Sequence, residues 1–460
     1  MNTNFTSAFR YSGSAVPNLT APVGGAFPYT PPRVTGGFTT FSGVSDDLKA
    51  PYEYLLNASY ARPLPKGMSI EIGYAGRLSH RGILRQDFGQ PLSQFKDPKS
   101  GQTWSQAGTV LAQLYNSGLT PAQVKANPSL VPNQPFYDNM FPGARNLYIN
   151  GSPSANVFYD AFGNEAGSWL DALNDLDRVR QSNGTCVSVY GCNTFFPMQN
   201  SGLTSYANAA KASYHAMTLV FRRPVSHGWG YDFNYTWSHG LDNGSASETS
   251  GGATLQDAFN PNAFRGPSDF DQRHSITGNA VVDLPVGKGK ALLGNAPMWL
   301  DEAIGGWQLG TLFTFRTGTP INCTVGGVYN VNYLSSSYCI LANGASSPAS
   351  GFFYDQNNIP SVFANTNAVN SFVATYPGVV GMRGSVRGPG LWNNDLSVSK
   401  FFKMPKENIR LQLRGEAYNL FNHPNFANPT VSTANPTTFG EITQMKSDPR
   451  VLQIALRLEF

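Results

Sequence analysis

Apolar and polar residues alternate with a period of two in nine separated stretches, the pattern of strands with one greasy and one wet face. In the clearest, Trp229, Tyr231, Phe233, Tyr235 and Trp237 oppose Gly230, Asp232, Asn234, Thr236 and Ser238. Just before it, His215, Met217, Leu219 and Phe221 oppose Ala216, Thr218, Val220 and Arg222. Residues 224–228 (PVSHG) turn between the two, so the pair reads as a hairpin. A second hairpin links residues 52–62 to 69–77 through PLPKG at 63–67, and a third links 392–402 to 408–420 through a turn at 404–407. Further strands are expected at 274–284, 305–316 and 450–460. In the last, Leu452, Ile454, Leu456, Leu458 and Phe460 share one face, and Gln453, Ala455, Arg457 and Glu459 share the other.

These apolar faces need a cover. A soluble β-sandwich supplies a second sheet; a membrane barrel supplies lipid on one side and a hydrated lumen on the other. Arg410, Arg414, Glu416, Arg457 and Glu459 lie on the polar faces, comfortable in a lumen and equally able to face solvent in a sandwich. Connection lengths discriminate better. Turns near 65, 226 and 405 are short and the link 285–302 is moderate, whereas 79–213, 240–271, 318–391 and 422–448 are long. Repeated long loops are unusual in soluble domains, while membrane barrels pair short periplasmic turns with long extracellular loops.

The expected fold is therefore all-β: a transmembrane antiparallel β-barrel portion spanning residues 52–460, with long extracellular loops. Residues 1–51 are expected to be an extracellular loop or a truncated barrel segment. The long loop 79–213 should hold helical patches at 104–115 and 169–180, and residues 439–444 should extend a strand above the membrane. If the last strand ends on the periplasmic side, counting back starts the first visible strand outside the cell. Bacterial single-chain barrels have even strand numbers, so this count expects an incomplete barrel.

Composition fits. Only 13% of the 460 residues are charged, where about a quarter is usual, while aromatics reach 13% and there are 47 glycines and 32 prolines. The net charge of +4 is spread without a basic block, which gives nucleic-acid binding no electrostatic support. No run of eighteen apolar residues predicts a helical span. The opening MNTNFTSAFRYSG shows neither a basic nor an apolar signal region, although an outer-membrane protein must be exported.

Candidate chemistry is sparse. Cys186 with Cys192, and Cys323 with Cys339, pair by proximity as loop disulfides suited to an oxidising compartment; four unpaired thiols are the alternative. Asp269, Asp271 and His274 have the look of a metal cluster, but their place just before a strand favours loop-closing hydrogen bonds. Asn422, His423 and Asn425 read as turn formers. Residues 287–290 (GKGK) lack phosphate-loop spacing, no HExxH occurs, and six histidines leave few catalytic bases. The reading is of a non-enzyme without a cofactor.

GPSDFDQRH (266–274), GGWQLGTLFTFRTGTP (305–320), RGEAYNLFNHPNF (414–426) and the tail 439–460 with FGEI and DPR together resemble the carboxy-terminal barrel of Oar-like TonB-dependent receptors. The resemblance covers roughly residues 50–78 and 214–460. It implies a gated importer in the outer membrane, with a barrel of about twenty-two strands. An amino-terminal plug domain fills that barrel, and the TonB complex pulls it open to admit a substrate that the motifs do not identify. It further implies that the final strand with Phe460 is read by the barrel-assembly machinery, and that Arg410, Arg414, Glu416 and Arg457 form a lumen charge lattice facing the plug. No plug or TonB box is recognisable here, so transport by this polypeptide alone is not expected. A passive porin-like or adhesin-like barrel and a soluble lectin-like sandwich are the competing readings.

Overall fold

At Ser226 the chain reverses within two residues. His227 and Gly228 both take left-handed backbone (φ 55° and 84°), as the tightest hairpin turn requires, and Trp229 pairs back onto Ser226. This is one reversal of a long meander. The computed structural model describes residues 40–90, 95–181, 183–192, 194–195, 202–245, 254–403 and 410–459. Its strands are β1 (Thr40–Val44), β2 (Tyr52–Leu64), β3 (Met68–Asp87), β4 (Gly202–Ser226) and β5 (Trp229–Asp242). Then come β6 (His274–Asp283), β7 (Trp307–Arg316), β8 (Leu391–Lys403), β9 (Arg410–Tyr418) and β10 (Val451–Glu459). Strands β2 to β10 pair antiparallel in chain order, each with the next, as one up-and-down sheet.

Register turns nine local alternations into two continuous faces. Residues directly opposite in neighbouring strands share a face, and one such row runs Tyr60, Ile72, Leu219, Tyr235, Ile276, Phe315, Trp392. Another runs Trp229, Val282, Leu309, Val398, Gly415, Ile454. One step along the strands, a row of the reverse face runs Glu71, Val220, Asn234, Thr277, Thr314, Asn393. Among the described residues, neither face is covered by a second layer. Every residue of Tyr52–Pro63 is exposed, and Leu452 and Ile454 are 70% and 82% exposed. A sandwich would bury one of these faces; this sheet buries neither. Strands β2 and β10 stand at its two ends and do not pair with each other among the described residues, so the described wall is open.

The buried apolar clusters lie instead in the connections and in the projecting ends of β3 and β4. One cluster is built wholly from residues 104–187, a second from residues 321–442, and a third joins Leu84 and Ala209 to Leu255, Phe264, Val331 and Val380. Residues 104–187 hold five α-helices: α1 (Trp104–Asn116), α2 (Pro121–Ala126), α3 (Pro135–Met140), α4 (Pro153–Tyr159) and α5 (Trp169–Arg178). Helix α1 opens on Thr103, whose hydroxyl accepts from Gln106 N while the Gln106 side chain accepts from Thr103 N, a reciprocal cap. A sixth helix, α6 (Met298–Ile304), lies in the link between β6 and β7. No helix among the described residues is long and apolar enough to cross a membrane.

Two expectations need correction. The first long loop is 88–201 rather than 79–213, because β3 and β4 run well past the bilayer length as a projecting ribbon. Register shifts between Ser79 and Leu84, with Arg81 at φ 58°, scramble the alternation there and hid it from the sequence. Residues 439–444 are not a strand extension. Gly440 at φ 81° breaks the run, and Phe439 and Ile442 turn into the second cluster, where Phe439 stacks on Phe363 with ring centroids 5.3 Å apart. Within residues 1–51, Thr40–Val44 is a strand, paired parallel to Gly202–Tyr206.

Candidate functional site in the loop cap

The long connections all leave the sheet from one end, opposite the short turns, and there they fold against one another. Leu170 N donates to Tyr329 O at 3.0 Å and Ser105 Oγ to Pro377 O at 2.7 Å, joining the helical insert to the 317–390 connection. Cys323–Thr324 pairs parallel with Val431–Ser432, and Phe352 stacks on Phe426 at 4.8 Å, joining that connection to the last one. Disulfides link Cys186 to Cys192 and Cys323 to Cys339, each with Cα atoms 5.3 Å apart; the second pair is wholly buried in its cluster. Asn425 is buried and brackets Trp392, accepting from its N–H at 2.8 Å and donating to its carbonyl at 2.9 Å. Asn419 and Asn422 supply the left-handed backbone of that turn.

Where the cap meets the wall, two arginines bind three aspartates. Arg383 donates to the Asp242 carboxylate, to the Asp242 carbonyl at 2.9 Å and to Ser245 Oγ at 2.6 Å, and pairs with Asp269 at 3.4 Å. Arg387 pairs with Asp271 at 2.5 Å and also donates to the Asp271 and Gly318 carbonyls at 3.0 and 3.3 Å. Asp271 is buried and accepts as well from Gly240 N at 2.8 Å, with His239 Nδ1 at 3.0 Å and Arg273 Nε at 3.3 Å. Burial raises the Asp271 carboxyl, but Arg387, Gly240 and His239 outweigh it and hold it below its ordinary value. Asp269 is the reverse case: burial keeps it above its ordinary value despite Arg383.

The latch answers the metal question raised by Asp269, Asp271 and His274. Guanidinium groups neutralise both aspartates, and His274 Nδ1 meets the Tyr235 hydroxyl at 2.9 Å on the strand face instead. The three do not converge as ligands. His239 against Asp271 has the outline of a catalytic dyad, yet Nε2 faces Arg273 Nη2 at 3.3 Å rather than a nucleophile. Arg383 and Arg387 escaped the sequence reading; their signal was the pair of charges inside the glycine-rich GMRGSVRGPG, 381–390.

Cavities open in the cap. One of 240 Å³ lies beside the latch, between Asp269, Arg383, Phe264 and Tyr338. A larger one of 430 Å³ lies between the insert and the neighbouring connections, walled by Tyr115, Phe162, Trp169, Val325 and Val373; Tyr115 stacks flat on Phe162 at 4.1 Å. Asp269 and Arg383 give the smaller cavity a charged wall, and Tyr115, Phe162 and Trp169 give the larger one an aromatic wall.

In the wall, Arg410, Arg414, Glu416 and Arg457 share the polar face. Arg410 stands opposite Glu459, Arg457 opposite Gln412, and Arg414 pairs with Glu416 at 2.5 Å. Leu452, Ile454, Leu456 and Leu458 line the apolar face of β10, and Phe460 lies outside the described residues.

Among solved structures, the outer membrane transporter YddB from Escherichia coli aligns with 92% of the chain at 8% identity and a TM-score of 0.39. A structure of the FpvAI–pyocin S2 complex aligns with 89% at 9% identity and a TM-score of 0.30. This chain spans about a third or less of those chains, 34% and 27%. No curated protein sequence matches it. Residues 1–453 match the family model for the outer membrane beta barrel domain. The two-faced, uncovered sheet and its folded loop cap are thus the wall and loops of an outer-membrane barrel, and the chain belongs to the outer membrane beta barrel domain family.

Proposed function

We propose that this chain forms part of the barrel of an Oar-like, TonB-dependent outer-membrane receptor that imports a substrate with energy drawn from the inner membrane. The observation that carries the reading is the two-faced meander whose end strands β2 and β10 have no partner on their outer edges among the described residues. An open edge in lipid leaves donors and acceptors unsatisfied, so further strands must join the two ends. The widened lumen then holds a plug against the charged face of Arg410, Arg414, Glu416 and Arg457. Without that plug the chain is not a competent importer. The folded cap, with its cavities, is the surface that meets a substrate first. The run Leu452, Ile454, Leu456, Leu458 and Phe460 serves as the assembly signal for the barrel-insertion machinery.

The test is the protein in its native outer membrane. Peptide mass mapping of the band that contains Trp104–Asn116 is expected to find a polypeptide longer than these 460 residues, with a plug. Its uptake of labelled solute is expected to stop with a protonophore. A plug-free band of this length, conducting steadily as a closed pore in planar bilayers, would overturn the proposal in favour of a passive porin-like or adhesin-like barrel.

A further inference from the structure

Away from the wall and the Asp–Arg latch, the helical insert crowds carboxylates at the junction of α4 and α5. One donor oxygen each from Asp160, Glu165 and Asp175 lies within 4.8 Å of the others. Asp171 adds its charge to Glu165 and Asp175. Acidic clusters on a surface need no explanation, because water screens them. This one is different at its centre. Asp160 is 0% exposed; its Oδ1 accepts from Asn164 Nδ2 at 2.7 Å, while its Oδ2 is buried without a hydrogen-bond partner. Asn174, next to Asp175 on α5, buries a second side-chain oxygen without a partner.

A specific turn creates the site. Residues Asp160–Asn164 form a π-helical turn in which Glu165 N donates to Asp160 O at 2.9 Å, and the wider turn carries Glu165 back beside Asp160. No ion pair with Lys or Arg reaches Asp160, Glu165 or Asp175 among the described residues, although Arg178 offsets part of the charge at Asp175. Burial, then repulsion from Asp175 and Glu165, pushes the Asp160 carboxyl up to about 7, against the Asn164 hydrogen bond and the nearby Tyr148 phenol. Burial and like-charge neighbours raise Glu165 and Asp175 too. The three carboxylates thus face one another with no cationic side chain paired to them among the described residues.

We propose that Asp160, Glu165 and Asp175 bind a divalent cation, calcium by its chemistry, which ties α4 to α5. The donors are all hard carboxylate oxygens with no sulfur or imidazole among them, the set that suits calcium at bonds of about 2.3–2.6 Å. Water and backbone carbonyls complete the shell.

The full chain in detergent, stripped with a chelator, is titrated with CaCl2 by calorimetry. In parallel, TbCl3 luminescence is excited through the neighbouring Tyr148. One saturable site is expected, with MgCl2 binding more weakly. Asp160→Asn and Glu165→Gln are each expected to weaken binding by about tenfold or more, while Asp355→Asn, in a different loop, leaves it unchanged. Glu165 is only half-buried, so its variant keeps the test open if Asp160→Asn does not fold. Absent saturation, or binding by both site variants equal to that of the parent, overturns the site. Magnesium binding as tightly as calcium overturns the calcium assignment.

Discussion

Replacing Arg383 with methionine keeps most of its volume and removes its charge, and so tests whether the latch holds the cap to the wall. The Arg383 side chain is 2% exposed, and its partner Asp242 is itself buried. Breaking a buried pair from one side costs about 3–5 kcal/mol, because the other charge is left unpaired. Asp242 is not left bare, since Gly244 N and Ser245 Oγ still donate to its carboxylate at 2.9 and 2.7 Å. Asp269 is partly solvated and loses little. The lower end, about 3 kcal/mol, is therefore the expected loss, or roughly two orders of magnitude in the local opening equilibrium. Hydrogen exchange read by mass spectrometry on the detergent-solubilised protein measures it. Peptides from 254–273 and 317–390 should exchange about a hundredfold faster, while β8 and β9, held by their ladders, should stay within about 0.5 kcal/mol of the parent. Unchanged exchange in the cap, or equal acceleration in the strands, refutes the latch.

The wall makes an opposite pair of predictions. Ile454→Arg on the apolar face should destabilise the membrane-inserted sheet by about 2–4 kcal/mol, whereas Gln453→Arg on the polar face should be near neutral. Equal yields of folded protein in outer-membrane fractions would contradict the assigned faces. Asp97 supplies a pH dependence. Burial raises its carboxyl, but hydrogen bonds from Ser100, Asn139 and the Lys99 backbone outweigh burial and lower it from 3.8 to about 2. Its contribution is thus present above pH 3.8 and lost as pH falls towards about 2, and tryptophan fluorescence from Trp104 and Trp169 in the insert should report loosening in that window. Removing the Cys323–Cys339 disulfide by a double alanine variant should destabilise the cap by about 2–4 kcal/mol. Removing Cys186–Cys192, which spans a shorter loop, should do less, as thermal unfolding of each variant would show.

Much of the wall was legible because strands write their faces locally. Trp229 to Trp237 alternates whatever surrounds it, and His227-Gly228 marks its turn without help from distant residues. Arg410, Arg414 and Glu416 likewise share a face by their even spacing along one strand, whereas Arg457 joins them only through the register of β9 with β10. The site was less legible. Asp269 and Asp271 drew attention as a possible ligand set, but their partners Arg383 and Arg387 lie more than a hundred residues away, and only the packed cap brings them within reach.

The sequence by itself determined that this chain makes two-faced strands joined by alternately short and long connections, since period and turn chemistry act over a few residues. Tertiary structure decided three things that depend on distant partners. It aligned nine alternations into one apolar and one polar surface. It placed the buried clusters in the loops and the projecting ends of β3 and β4, with Phe439 turned inward where local pattern suggested a strand. It also joined aspartates to arginines at the wall and crowded Asp160, Glu165 and Asp175 in the insert. Burial and charge pairing are properties of neighbours in space, and no local period encodes them.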